Sequence, residues 1–321
     1  MQEIVDLVAT PPPGDWGLAV DADAVATLAD RWAGDPFPLP AFDYPGTPPL
    51  REESWWFDYV TLATSVLACL WPPEGDAMWQ IELDDGTWVD DAPAVFAAFT
   101  RRLGSDGLDL DAFAAMTDAE AGALFAGRGT LQLIDGRADV LRGASAALLR
   151  RWDGTARNLV DEADRDGGRI VDLLVETVPG YHDRPDSPVG VLPFDKLAHL
   201  AAALMAAGMG WGDAGFRGYE DFPVYPDYML PRVLRHHGVL VYSSELAARI
   251  DGRVLIPADS PQEHALRWAT VHAGAALRAA LHERGNPVTA PALDYRLWSD
   301  AVLGPEAASF GEHHRTITLR Y

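Results

Sequence analysis

The sequence predicts a mainly α-helical protein with one small β-hairpin, and three observations carry that expectation. From Ala92 onward, segment after segment repeats apolar residues at helical spacing. A single stretch, Met78–Val89 (MWQIELDDGTWV), alternates apolar and polar residues around Asp85-Gly86, the pattern of a hairpin. The first fifty residues are dense in proline, including Pro11–Pro13, Pro36, Pro38, Pro40, Pro45, Pro48 and Pro49, and leave room for little regular structure.

Taken in order, the first helix is expected over Ala22–Trp32. The rest of the proline-rich start reads as an ordered wrapping segment pinned by Trp16, Trp32, Phe37, Phe42 and Tyr44. Arg51–Trp71 is apolar all round, which predicts a buried helix that stops at Pro72-Pro73. After the hairpin, expected to be the only sheet, helices follow over Pro93–Leu103, Leu110–Met116 and Asp118–Phe125. Gly136–Trp152 sets Val140, Leu141, Ala144, Leu148 and Leu149 on one stripe. Thr155–Asp164 and Arg169–Val178 come next, and then a Pro/Gly/Asp-rich loop, Gly180–Pro193, leads into Phe194–Gly208, a nearly wholly apolar core helix. Pro226–His237 reads as a helix interrupted near Pro231 or as two short turns, and Ser243–Ile250 is short. Ser260-Pro261-Gln262-Glu263 begins a long helix to Gly285, with Ser as cap, Pro in the first turn and Glu reaching back to the cap. Pro291–Leu303 is the last helix. Two domains are expected: residues 1–130 as wrapping segment and cap, and 131–321 as the helical domain carrying the site.

Composition narrows the function classes. With 321 residues and 48% apolar content the chain can bury a full core. Its formal charge of −23 opposes a phosphate backbone, so duplex nucleic acid and anionic membrane surfaces are not expected partners. Cys69, the only cysteine, permits neither an intramolecular disulfide nor a cysteine metal cage. The start, MQEIVDLVATPPPGDW, has neither a basic flank nor a long apolar run, and the apolar stretches are too short to span a bilayer; a cytoplasmic monomer is expected. Of the 25 basic residues only Lys196 is lysine. A compact ammonium kept where arginine is used everywhere else suits a tight site, although survival by chance on a solvated face is an equal reading.

Few motifs for chemistry survive inspection. The His236-His237 and His313-His314 pairs are neighbours that point apart on a helix, and His264 and His272 fall outside any HExxH pattern, so no metal is expected. There is no GxSxG elbow, GxGxxG turn or P-loop, and no cofactor is expected. What remains is acid–base chemistry between Gly190 and Arg232: Lys196 in the first turn of a buried helix, then Phe222-Pro223-Val224-Tyr225-Pro226-Asp227. Two readings of Asp227 stand open here. It caps a helix, or it is a carboxylate set beside Tyr225 to stabilise positive charge on a sugar.

These residues lie in segments that resemble the queuosine salvage family of queuosine 5′-phosphate N-glycosylases. The resemblance runs from about Trp55 to Tyr321, through MWQIELDDG, the run from Leu124 to Ala163, GVLPFDKLAHL, VYPDYMLPRVLRHHGVLVYS, LDYRLW and HHRTITLRY. It implies a DNA-glycosylase-like helical domain with an added cap, and hydrolysis of queuosine 5′-monophosphate to release the base queuine. Carried over by position, it makes Asp227 the catalytic carboxylate and Tyr225 the base-stacking aromatic, Asp294 and Tyr295 the pair contacting the base, and Lys196 the lysine of the FxKxAQ helix start. The sequence departs from the family at Thr64 and Leu67, which replace Asp and Asn, and at His199, Pro226 and Met229. Such changes bear on which base is recognised. An N-glycosidase for another modified nucleoside, and a protein that binds a nucleotide without cleaving it, are the alternatives.

Overall fold

The computed structural model describes residues 7–49 and 51–321; Met1–Asp6, part of the start read above for targeting signals, and Leu50 lie outside it. The protein is mainly α-helical. Local chemistry starts many of the helices: the side chains of Asp21, Asp109, Thr117, Thr155, Asp166, Ser243, Ser260 and Thr289 each accept a first-turn N–H. Such caps satisfy donors that have no partner inside the helix. No helix among the described residues is long and apolar enough to cross a membrane.

The contacts gather into two compact units. Of the described residues, one comprises 7–40, Asp183–Lys196 and Gly218–Thr318; the other comprises 41–49, 51–182, Leu197–Arg217 and Leu319–Tyr321. The first is built on the long helix Pro261–Glu283, whose Leu266, Ala269, Ala273, Leu277 and Leu281 share a core with Leu28, Val233, Leu293 and Leu297. Gly274 sets how near that helix the segment ahead of Asp227 can lie. A Cβ there would fall 2.5 Å from a methyl of Val224, so only glycine permits the close packing.

The second unit is centred on helix Glu53–Ser65, buried from Trp55 to Ser65 and packed against helices Asp91–Thr100, Ile134–Arg151 and Ala156–Glu162. The helix predicted over Arg51–Trp71 therefore ends six residues early. The cause is Arg137, fully buried, whose guanidinium donates to the carbonyls of Val66, Ala68 and Cys69. Those carbonyls need no helix to be satisfied, and Cys69 turns into the left-handed region at φ +49°.

The hairpin forms where expected, Ile81 opposite Val89 and Glu82 opposite Trp88, with Gly86 at φ +83° in the turn. The expectation of a single sheet is corrected. Leu18–Val20 pairs with Leu240–Tyr242, and Asp186–Ser187 with Gly190–Val191. The helix expected over Pro226–His237 is shortened to Met229–His236. It carries no break: Pro231 falls in the first turn, where a missing N–H costs nothing.

Candidate active site

Two prolines shape the segment that carries Asp227. Pro223 and Pro226 push the residues before them out of helical conformation, and the chain runs extended until Asp227 can start the next helix. Its Oδ1 accepts from the N–H groups of Met229 (2.7 Å) and Leu230 (3.0 Å). Its Oδ2 lies 4.0 Å from Lys196 Nζ. Oδ1 thus does what the capping reading asks of it, and Oδ2 is the oxygen left on the side of Lys196.

Lys196 is the first residue of helix Lys196–Met209, and its side chain is only 6% exposed. A helix N-terminus disfavours a cation, so a buried ammonium there requires anionic company. Asp227 supplies it. Asp294, in helix Ala290–Val302, adds a second carboxyl, and its Oδ1 accepts the Tyr225 N–H at 2.7 Å. Burial pushes the Asp294 carboxyl well above the usual carboxylate range, and the negative charge of Asp227 pushes the same way. The Tyr225 N–H and Lys196 oppose that shift without cancelling it. The surroundings of Asp294 thus favour its protonated form.

The structure brings together four of the five residues singled out in the sequence: Asp227, Lys196, Asp294 and Tyr225. Tyr225 is buried. Tyr295 follows Asp294 on the helix, is half-buried, and stacks on Trp298 at 6.3 Å and 24°. Of the positions that depart from the family, Thr64 sits in the core of the second unit. Its hydroxyl bonds the Val60 carbonyl (2.6 Å) and the Tyr181 hydroxyl (2.7 Å).

Sequence reasoning missed the clamp that holds this site. Arg267 is fully buried on helix Pro261–Glu283; its Nε donates to the Pro226 carbonyl at 3.1 Å and its other nitrogens grip both oxygens of Asp183. The main chain of Asp183 in turn accepts from the N–H groups of Phe194 and Asp195, both at 3.1 Å. One guanidinium thereby ties the turn before Lys196 to the residue before Asp227. The Phe194 ring lies 4.1 Å beneath that guanidinium. Asp195 is anchored by Arg184 Nε at 2.7 Å, yet burial raises its carboxyl to about 6. His313 packs on Tyr228 at 4.9 Å, and burial lowers His313 to about 4 and His314 to about 3, so both are neutral imidazoles.

One expectation at this helix is corrected. Glu263 does not reach back to cap Ser260; its Oε1 lies 3.5 Å from Arg267 Nη1, one turn further on. A buried guanidinium attracts a carboxylate more strongly than a neutral N–H does. The spacing Glu263-x-x-x-Arg267 on an otherwise apolar face was the signal available in the sequence.

Comparison with known proteins decides the kinship. The profile described as queuosine salvage protein matches residues 48–321. The chain belongs to the queuosine salvage protein family. Among its relatives, the queuosine 5′-phosphate N-glycosylase/hydrolase of Sphaerobacter thermophilus is 29% identical over 316 residues, covering 94% of this chain and 92% of that protein. The mouse protein of the same name is 28% identical over 200 residues, 60% of this chain and 59% of its own length. The Dictyostelium discoideum protein, again so named, is 27% identical over 188 residues, 58% and 57% of the two chains. The family match begins at residue 48, beyond most of the proline-rich start, and takes in every residue of the site.

Proposed function

We propose that this member of the queuosine salvage family hydrolyses the N-glycosidic bond of queuosine 5′-monophosphate, or of a closely related 7-deazaguanine nucleotide, to queuine and ribose 5-phosphate. The names of its relatives supply the substrate class. The observation that carries the chemistry is the division of labour in Asp227, with Oδ1 bound by two backbone N–H groups and Oδ2 turned to Lys196.

Cleavage breaks the bond between the anomeric carbon and the base nitrogen, and positive charge builds on the ribose as it breaks. Asp227 Oδ2 stabilises that charge, by electrostatics or by direct attack, before water supplies the new oxygen on the sugar and a proton returns to the base. Fixing Oδ1 means that little reorganisation is needed when the charge appears. Asp294, whose burial favours the protonated form, would offer a donor to the polar edge of the base. Tyr225 provides an aromatic face, while Tyr295, next to Asp294 in sequence, stacks on Trp298.

The test is Asp227→Asn. The side-chain oxygen of Asn accepts the same two N–H groups, so the fold should survive with a melting temperature lowered by the loss of Lys196's anionic partner, while kcat should fall by about 10²–10³-fold or more. Near-normal release of free base from the monophosphate rejects the role. Ligand-induced thermal stabilisation with no product from any of a panel of modified nucleosides and their monophosphates rejects the enzyme in favour of a binder.

Lys196 has two readings, as the cation that holds the 5′-phosphate and as the cation that orients Asp227, and the 4.0 Å pair favours the second. Lys196→Ala separates them. Equal losses on the nucleoside and its monophosphate assign Lys196 to Asp227, whereas a loss confined to the monophosphate assigns it to phosphate.

A further inference from the structure

One turn before Arg267, the start of helix Pro261–Glu283 gathers groups for which the glycosidase reading has no use. Glu263 and His264 are 0% and 1% exposed, while Asp259 lies at the surface just before the Ser260 cap. His264 Nε2 is 3.5 Å from Glu263 Oε2 and 3.7 Å from Asp259 Oδ1. All three donor atoms lie within 4.8 Å of one another.

The second observation concerns hydrogen bonding. Neither ring nitrogen of His264 makes a hydrogen bond, and neither does Glu263 Oε2. Buried polar atoms almost always have partners, and leaving one unpaired costs about 1–3 kcal/mol. Here two such atoms face each other across 3.5 Å without hydrogen-bond geometry. The other Glu263 oxygen is already engaged by Arg267 at 3.5 Å, which holds the carboxylate with Oε2 toward the imidazole.

We infer that Asp259, Glu263 and His264 form a binding site for a divalent transition-metal cation, zinc being the best match. One imidazole and two carboxylates suit zinc and neighbouring first-row ions, and calcium or magnesium poorly. The size agrees too. With bonds of about 2.0–2.1 Å, a tetrahedral zinc ion places its ligand atoms about 3.3 Å apart. The two measured His264 edges, 3.5 and 3.7 Å, are within a few tenths of that. Three protein ligands leave the fourth position to water. The exposed Asp259 is the way in, and the ion gives Nε2 of His264 and Oε2 of Glu263 the partner that the protein does not. Arg267 continues from this site to the Pro226 carbonyl, so the ion fixes the helix end from which the clamp projects.

The experiment is zinc chloride titrated into the chelator-stripped full-length protein, followed by calorimetry and by metal analysis after gel filtration. One equivalent should bind, and the melting temperature should rise with zinc. Asp259→Asn removes a surface ligand without touching the core, so it should fold as the wild type does and bind zinc at least tenfold more weakly. His264→Gln should abolish the equivalent. The exposed His236 serves as control, and His236→Gln should bind as the wild type does. Failure of the wild-type protein to retain zinc, unchanged affinity in Asp259→Asn, or loss of binding in His236→Gln each overturns the site. None of these outcomes bears on glycosidase activity, which is assayed separately.

Discussion

Each unit of the protein buries one arginine completely, and the two arginines do opposite things. In the second unit Arg137 spends its guanidinium on backbone, the carbonyls of Val66, Ala68, Cys69 and Gln132. Other buried polar groups there behave alike: Asp58 accepts the Ala156 N–H, and Thr64 and Tyr181 take carbonyls of helix Glu53–Ser65. In the first unit Arg267 faces a carboxylate, and around it Asp183, Glu263, Asp195, Arg184, Lys196, Asp227 and Asp294 make a field of side chains addressing one another. Buried polarity aimed at the main chain replaces secondary structure. Aimed at other charges, it stores electrostatic potential where a reaction can use it.

The sharpest way to break this contrast is to remove each arginine. Arg267→Met strands the Asp183 carboxylate in the core, and Arg137→Met strands several carbonyls; each should cost about 3–5 kcal/mol in urea melts. They should then part company. Asp183→Leu added to Arg267→Met deletes the charge that Arg267 gripped most closely, leaving Glu263 unpaired, and should restore at least about 2 kcal/mol, while activity stays low because the Pro226 carbonyl has lost its anchor. No second side-chain change can rescue Arg137→Met, whose partners are main chain. Equal rescue in both units, or full activity in the double variant, would erase the distinction.

A smaller effect comes from pH. Burial raises Asp58 to about 6 from its usual value of 3.8. Between those values the folded protein holds a proton that the unfolded chain has released, so stability falls as pH rises from about 4 to 6. Asp58→Asn keeps an acceptor for the Ala156 N–H and removes the ionisation. Its stability should exceed that of the wild type above pH 6, by a margin on the order of 2 kcal/mol, with a flatter profile across the window. Asp195, raised to about 6 in the first unit, titrates in the same window, but Asp195→Asn also forfeits the ion pair with Arg184 and should gain less.

The helices were legible because their signals are local. Caps such as Thr117 and Ser260, and the apolar stripe of Gly136–Trp152, act within a few residues. The strand pair of Leu18–Val20 with Leu240–Tyr242 was not, since three residues have no pattern of their own and the partner lies more than two hundred positions away. The early end of helix Glu53–Ser65 was hidden for the same reason: the sequence there is apolar throughout, and the group that unwinds it is Arg137. At the site, Lys196 stood out by its rarity and Asp227 by its prolines. Arg267 and Asp183 looked like ordinary surface charges, because burial and pairing are properties of the fold.

The tether on Oδ1 also decides what Asn does at position 227. Two amide hydrogens claim the oxygen on that side, so the carboxamide can settle only with its NH2 turned outward, toward the lysine. The replacement would thus do more than discharge the group. It would reverse polarity on that side, presenting hydrogens to a neighbouring ammonium where the carboxylate presents an oxygen.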